Sequence, residues 1–325
     1  MSGDNATTIV AAIIALVMTA LPGPASAQEY PSRPIMLTVA YSPGGATDLQ
    51  ARIVSQPAAD RDYFGRPMII VNKPGAGGKV AWSWFASRAQ KTGYEVAVYN
   101  LPHVLAQSIA LNADYGLDTL EPIANFGADP AVLAVSRDSS IETVEDFIAH
   151  AKQNPGAVTI SGACLYVGHH IALLQLERAA EIDLTYVPYP GAVPALTSLI
   201  GGQVQASFNN LSDAYRSRDR LKILAVADLD RDAAFLPNVP TFLERGIDID
   251  DSSVNFRGFM VPRGTPAEVT DVLAERLPAM FHDEGVLRRM REGGASMRIM
   301  GREEVQTLWQ RHQAALEALL ADLGE

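Results

Sequence analysis

Hydrophobic positions along this chain fall into short, nearly unbroken runs, among them Ile35–Tyr41, Met68–Val71, Val96–Tyr99 and Val132–Val135. Runs of that length read as strands buried on both faces. The segments between them carry helical spacing, so the pattern predicts an α/β fold with largely parallel sheets. Thr143-Val-Glu-Asp146 predicts a capped helix over Glu145–Gln153, closed by Asn154-Pro155-Gly156. Thr265-Pro-Ala-Glu268 predicts a second capping box, with Pro266 at the first helical position and a helix running to about His282. Val80, Ala81, Trp84 and Phe85 are spaced as the inner face of another helix, and Pro57 is expected to shorten or kink the one before it.

The first 27 residues follow a different pattern. Ile9–Leu21 is an apolar run too short to span a bilayer, and Ala25-Ser26-Ala27 fits an A-x-A cleavage site. Residues 1–27 are therefore expected to be a cleavable export signal, although their start carries Asp4 and no Lys or Arg. No low-complexity linker follows, so a second domain must be entered and left through short crossings, best placed at Glu121–Pro130 and Lys222–Asp228. The expected division is a discontinuous lobe 1, residues 28–124 with 226–325, and an inserted lobe 2, residues 125–225. Two lobes joined by two strands form a cleft that can close by hinge motion.

The stretch with the clearest chemistry is Val39-Ala-Tyr-Ser-Pro-Gly-Gly-Ala-Thr-Asp48, a strand that stops at a Pro-Gly-Gly turn and then opens a helix. Such a turn aims backbone N–H groups at one spot before a helix N-terminus, which holds an anion without a basic side chain. Ile69-Ile-Val-Asn-Lys-Pro-Gly-Ala-Gly-Gly-Lys-Val80 repeats the arrangement. Two such loops at neighbouring strand ends can face one small anion, with Lys73 and Lys79 beside them and dispensable. Tyr41, Tyr189 and Phe208 are candidate cleft walls.

Composition narrows the partners. With 325 residues, 48% hydrophobic and a formal charge of −11, the chain is an acidic globular protein without a basic, aromatic-interleaved stripe for nucleic acid. Its one cysteine, Cys164, excludes an intrachain disulfide and a Cys-rich metal site, so export points to a bacterial periplasm. Gly75-Ala-Gly-Gly-Lys79 lacks the spacing of a P-loop, and no metal or cofactor is expected.

Taken together and in order, Tyr30-Pro-Ser-Arg-Pro-Ile35, Pro43-Gly-Gly-Ala-Thr-Asp48, Asn72-Lys-Pro-Gly-Ala-Gly-Gly78, Val187-Pro-Tyr-Pro-Gly-Ala192, Gly201-Gly-Gln-Val204, Leu236-Pro-Asn-Val-Pro-Thr241 and Pro262-Arg-Gly-Thr-Pro266 resemble the Bug family, extracytoplasmic solute receptors of tripartite tricarboxylate transporters. The resemblance implies a two-lobed periplasmic binding protein fold of the second type, each lobe a mainly parallel sheet flanked by helices. It implies a small organic acid as ligand and a membrane permease as partner, with the chain acting as a monomer. The carboxylate-binding role falls on Ser42, Gly44, Gly45, Ala46, Thr47 and Asp48, and on Gly75, Ala76, Gly77 and Gly78. Where the family has Asp after Gly-Gly-Gln-Val, this chain has Gln205, followed by Asn209 and Asn210. Neutral amides there suit a dicarboxylate or aromatic acid without an amino group. The loop Ser161–His170 carries bulky Leu165 and Tyr166 beside Cys164, which implies a less polar wall.

Two other readings stay open on residues alone. Cys164 with His169 or His170 could form a thiol nucleophile and base, making an enzyme. A binding protein that presents its loaded form to a membrane sensor kinase needs the same closing cleft.

Overall fold

The computed structural model describes residues 30–321, so the export signal expected at residues 1–27 lies outside the described residues. The first strand, β1 (Ile35–Val39), is buried at nearly every position and pairs in parallel with β2 (Met68–Asn72) and β3 (Glu95–Leu101). Each strand end feeds a helix: α1 (Ala46–Ser55), α2 (Lys79–Arg88) and α3 (His103–Ala110). After β4 (Leu120–Asp129) the chain builds a second sheet from β5 (Ala131–Ser136), β6 (Thr159–Ala163), β7 (Thr185–Tyr189), β8 (Ala206–Asn210) and β9 (Leu221–Ala227). Between those strands lie α4 (Val144–Gln153), α5 (Gly168–Ala180), α6 (Ala192–Ile200) and α7 (Leu211–Arg216). The return segment adds β10 (Asn255–Pro262), α8 (Ala267–Phe281), α9 (Glu284–Glu292), β11 (Met297–Met300) and α10 (Arg302–Leu320).

The first sheet has the order β11-β4-β10-β3-β1-β2 and the second β7-β6-β8-β5-β9. Expected parallel pairing holds on one side of each, β2-β1-β3 and β7-β6-β8, while the other side is antiparallel. The cause in the first sheet is β10, which returns from the second lobe and inserts between β3 and β4 against the direction of both. Helices cover both faces, over a cluster including Phe126, Phe259 and Phe281 on one side of the first sheet and Trp82, Tyr99 and Trp309 on the other.

Asn125–Asp129 pairs with β10 in the first sheet, later than the crossing expected at residue 125, and β9 stays in the second sheet to Ala227. The outward crossing is thus Pro130. Its neighbour Asp129 is buried and accepts from Arg257 Nη1 (2.9 Å), Ser212 N (2.9 Å) and Ser212 Oγ (2.6 Å), so one carboxylate joins β10 to α7 at the hinge.

Local signals vary in outcome. Thr143 and Asp146 form their reciprocal cap. Thr265 does not: Pro266 is extended, the helix begins at Ala267, and the Thr265 hydroxyl donates back to the Pro262 carbonyl (2.8 Å). In α2 the buried face is Ala81, Trp82 and Phe85, while Val80 is exposed, because a helix starting at Lys79 turns Trp82 inward. Pro57 ends α1 at Ser55 and begins a single 3₁₀ turn, Gln56–Ala59.

Candidate ligand-binding cleft

In open α/β sheets, ligands bind beyond the carboxyl ends of strands. Here those ends are the loops after β1, β2 and β3 in one lobe and after β6, β7 and β8 in the other. The loop after β1 turns through Gly44 at φ +82°, a left-handed conformation that favours glycine. Its Gly44 N–H is taken by Asp48 Oδ2 (2.8 Å) and its Gly45 N–H by the Ser42 carbonyl (3.3 Å). The next three, on Ala46, Thr47 and Asp48, are first-turn N–H groups of α1 without an acceptor among the described residues.

Asp48 was expected to touch the ligand, but its side chain is buried and braces the loop. It accepts from Gly44, from Arg52 Nε (3.0 Å) and Nη2 (2.9 Å), and from Asn72 Nδ2 (2.8 Å), which also donates to the Tyr41 carbonyl (2.9 Å). Burial opposes its charge, yet hydrogen bonds from Arg52, Gly44 and Asn72 outweigh that and hold the carboxyl below its ordinary range. Thr47 is likewise buried, and its hydroxyl accepts from Asn100 Nδ2 (3.0 Å).

The loop after β2 has φ values of +147°, +64° and +109° at Gly75, Gly77 and Gly78. N–H groups of Gly75, Ala76 and Gly77 find no acceptor among the described residues. The Gly77 carbonyl is held from two sides, by the Tyr41 hydroxyl (2.9 Å) and Gln107 Nε2 (3.3 Å), so the two glycine loops are tied directly together. Any Cβ at Gly77 would stand 2.5 Å from Gln107 Nε2, and at Gly78 2.5 Å from the Trp82 indole. Lys73 places its ammonium over the Trp84 ring, 4.1 Å from the centroid.

From the second lobe, Cys164 meets this loop: a Cβ on Gly77 would lie 3.5 Å from Cys164 Cβ. Cys164 and Tyr166 both have positive φ, and Tyr186 caps the turn by donating to the Ala163 and Cys164 carbonyls (2.9 Å each). Burial raises the thiol's pKa, which disfavours a thiolate. Both neighbouring histidines have Nδ1 taken by backbone N–H groups. His169 Nδ1 accepts the Ala163 N–H (3.0 Å), so its proton sits on Nε2 and goes to Asn210 Oδ1 (3.2 Å). His170 Nδ1 accepts the Tyr166 N–H (3.2 Å), its ring lies against Tyr186, and burial lowers its pKa to about 4.

Several expected second-lobe groups lie elsewhere. Gln205 precedes β8, at the opposite strand end from Asn209 and Asn210, and its Oε1 accepts the Thr159 N–H (2.9 Å). Phe208 is fully buried and packs on Phe242 in the lobe core. Tyr189 ends β7, but its hydroxyl points toward Gln203 (3.5 Å), beyond the far end of α6. Asn209 stands at the right end with its amide committed to the Ala192 carbonyl (2.9 Å) and the Asn210 N–H (3.0 Å). Asn210 in turn donates to Asp213 (2.9 Å), which also pairs with Arg216.

Sequence reasoning missed Asn100, His103 and Arg257. All three are buried, and Asn100 Oδ1, His103 Nδ1 and Arg257 Nε have no hydrogen-bond partner among the described residues. His103 stands edge-on to Tyr41, and its Cε1 would lie 3.7 Å from a Cβ on Gly168 at the start of α5, so it sits between the lobes. Burial, with the nearby His169 and Arg257, keeps it neutral. Arg257 had a legible signal: one arginine inside the apolar run Val254–Val261 must find a buried partner. It has two, Asp129 and Gln50 (3.1 Å).

Two open sheets, two crossings and strand-end loops that meet between them define a two-lobed periplasmic binding protein fold of the second type. A profile described as tripartite tricarboxylate transporter family receptor matches residues 51–324, and the chain belongs to that family. It is similar to BugT of Bordetella pertussis, 31% identical over 301 residues and covering 90% of each chain. Among solved structures it resembles the periplasmic binding protein BugD, at 26% identity and TM-score 0.77, covering 91% of this chain and 99% of that one. It also resembles MatC of Rhodopseudomonas palustris with bound malate, at 25% identity and TM-score 0.77, covering 90% and 100%.

Proposed function

We propose that this chain is a non-catalytic periplasmic receptor that captures a small organic carboxylate between its lobes and delivers it to a tripartite tricarboxylate permease. The observation that carries the reading is the set of free N–H groups on Ala46–Asp48 and Gly75–Gly77, held on two loops joined by the Tyr41–Gly77 hydrogen bond. Fixed N–H groups at a helix start hold a carboxylate without a neutralising cation. The ligand is a dicarboxylate or an aromatic acid without an amino group. Support for that comes from the carboxylates around the cleft: Asp48, Asp129 and Asp213 are all committed to protein donors, which leaves none of them for an ammonium. Bound malate in MatC, a dicarboxylate, fits the same chemistry. The two crossings serve as the hinge: Pro130 outward, and residues 250–253 inward, since Thr241 still bridges to β9 and Phe242, Ile247 and Ile249 pack in the second-lobe core.

The test is a thermal-shift panel of organic acids followed by calorimetry. A ligand at 100 times its dissociation constant should stabilise by roughly 2.7 kcal/mol. Malate, succinate or a benzoate-like acid should give that response. Tight binding of glutamate or aspartate, with those acids inert, would overturn the assignment.

A further inference from the structure

At the end of the first sheet opposite the glycine loops, where β1 and β2 begin, a cavity of about 420 Å³ opens beneath Tyr30 and Phe64. Three arginines, Arg61, Arg66 and Arg276, line it. The five residues of β1 put roughly 16 Å between this cavity and the cleft, so the two are separate places. Among the described residues, none of the three guanidiniums has a carboxylate within ion-pair distance.

Two of them are anchored by backbone carbonyls, which fix position without cancelling charge. Arg66 donates from Nε to the Ser32 carbonyl (3.0 Å) and from Nη1 to the Gly65 carbonyl (2.8 Å), leaving Nη2. Arg276 donates from Nη1 to the Tyr63 carbonyl (3.1 Å), leaving Nε and Nη2. Arg61 makes no hydrogen bond among the described residues. Asp60, Asp62 and Asp283 gather instead around the neighbouring Tyr63 phenol, and Arg33 lies over Tyr94, 4.0 Å from the ring centroid. In a chain with a formal charge of −11, three arginines around one hollow, none ion-paired among the described residues, concentrate positive charge there.

We propose that this cavity is a second anion site, taking an oxyanion of the phosphate class on the free guanidinium donors of Arg61, Arg66 and Arg276. Guanidinium forks match phosphate oxygens in geometry as well as charge. The phosphate can be free in solution or carried by a lipid headgroup.

The purified protein is titrated with inorganic phosphate at low ionic strength, and separately sedimented with vesicles of phosphatidylglycerol or phosphatidylcholine. Saturation by free phosphate supports a soluble oxyanion, and retention on phosphatidylglycerol vesicles alone supports a headgroup. In either case Arg61→Gln and Arg66→Gln should each weaken binding about tenfold or more, whereas Arg33→Gln, outside the cavity, should leave it unchanged. Arg61→Gln breaks no hydrogen bond, so a retained melting temperature in that variant separates lost binding from lost fold. Gly44→Val, altered in the cleft loop, should keep phosphate or vesicle binding. Failure of both probes overturns the proposal, as does an equal loss in Arg33→Gln. Loss in Gly44→Val with the arginine variants intact also overturns it, by moving the anion to the cleft.

Discussion

His170 illustrates how a single buried base ties this fold to pH. Its ring packs between Tyr166 and Tyr186, and its pKa falls to about 4 from an ordinary 6.5. The folded state therefore binds the proton less well than the unfolded chain. Its contribution to stability is fully present above pH 6.5 and is lost progressively as pH falls toward 4, on the order of 1–3 kcal/mol. Burial shifts His103 and His169 in the same direction, so they add to the slope. Melting temperatures between pH 7.5 and 4.5 should drop steeply in the parent and less steeply in His170→Phe. A flat parent profile, or an unchanged slope in the variant, would contradict this. At this scale the sequence was least legible. Asp48 and Gln205 are polar residues beside predicted loops, and spacing alone cannot tell a side chain facing a ligand from one facing its own backbone. Asp48 faces its own backbone because Arg52 and Asn72 both reach it, and Asn72 arrives from another strand.

The glycine loops were legible because their chemistry is local: strand, Pro, glycines, helix. Their glycines nevertheless do different things. At Gly44 an added Cβ meets nothing within 4 Å, so alanine there suffers only the left-handed backbone, about 1–2 kcal/mol. At Gly78 it also meets the Trp82 ring, buried in the core, and overpacking adds about 1–3 kcal/mol. Urea denaturation should rank Gly78→Ala well below Gly44→Ala. Equal midpoints would mean that Trp82 moves aside freely. The same contrast between local and distant causes explains the helix starts. Thr143 and Asp146 close a cap within one turn, as their spacing predicts. Thr265 is diverted by the Pro262 carbonyl, and Trp82 faces inward because α2 begins one turn after Gly75.

Across the whole molecule, alternating strands and helices announced the two lobes, while the antiparallel half of each sheet was hidden. In the first sheet direction depends on where β10 re-enters, and in the second on β5, which runs against both β8 and β9; no run of residues within either strand records which neighbours it will find.

The two glycine loops, with the N–H groups proposed to seat the carboxylate, and their braces Tyr41, Asp48, Asn72 and Gln107 all belong to the first lobe. On the proposed function, an arriving ligand is expected to meet a finished landing place before the second lobe moves, with lobe closure setting how long it stays. Leu165, exposed in the second-lobe loop that carries Cys164, is the residue to test for that later step. Stopped-flow fluorescence should find Leu165→Ser releasing the ligand faster, with an association rate within about twofold of the parent, since related complexes differ mostly in dissociation. A matching fall in association rate would mean that both lobes must be in place before the ligand can land. If release alone changes, arrival and residence are set by different lobes, and selectivity can drift by changes in one of them without retuning how fast a carboxylate is found.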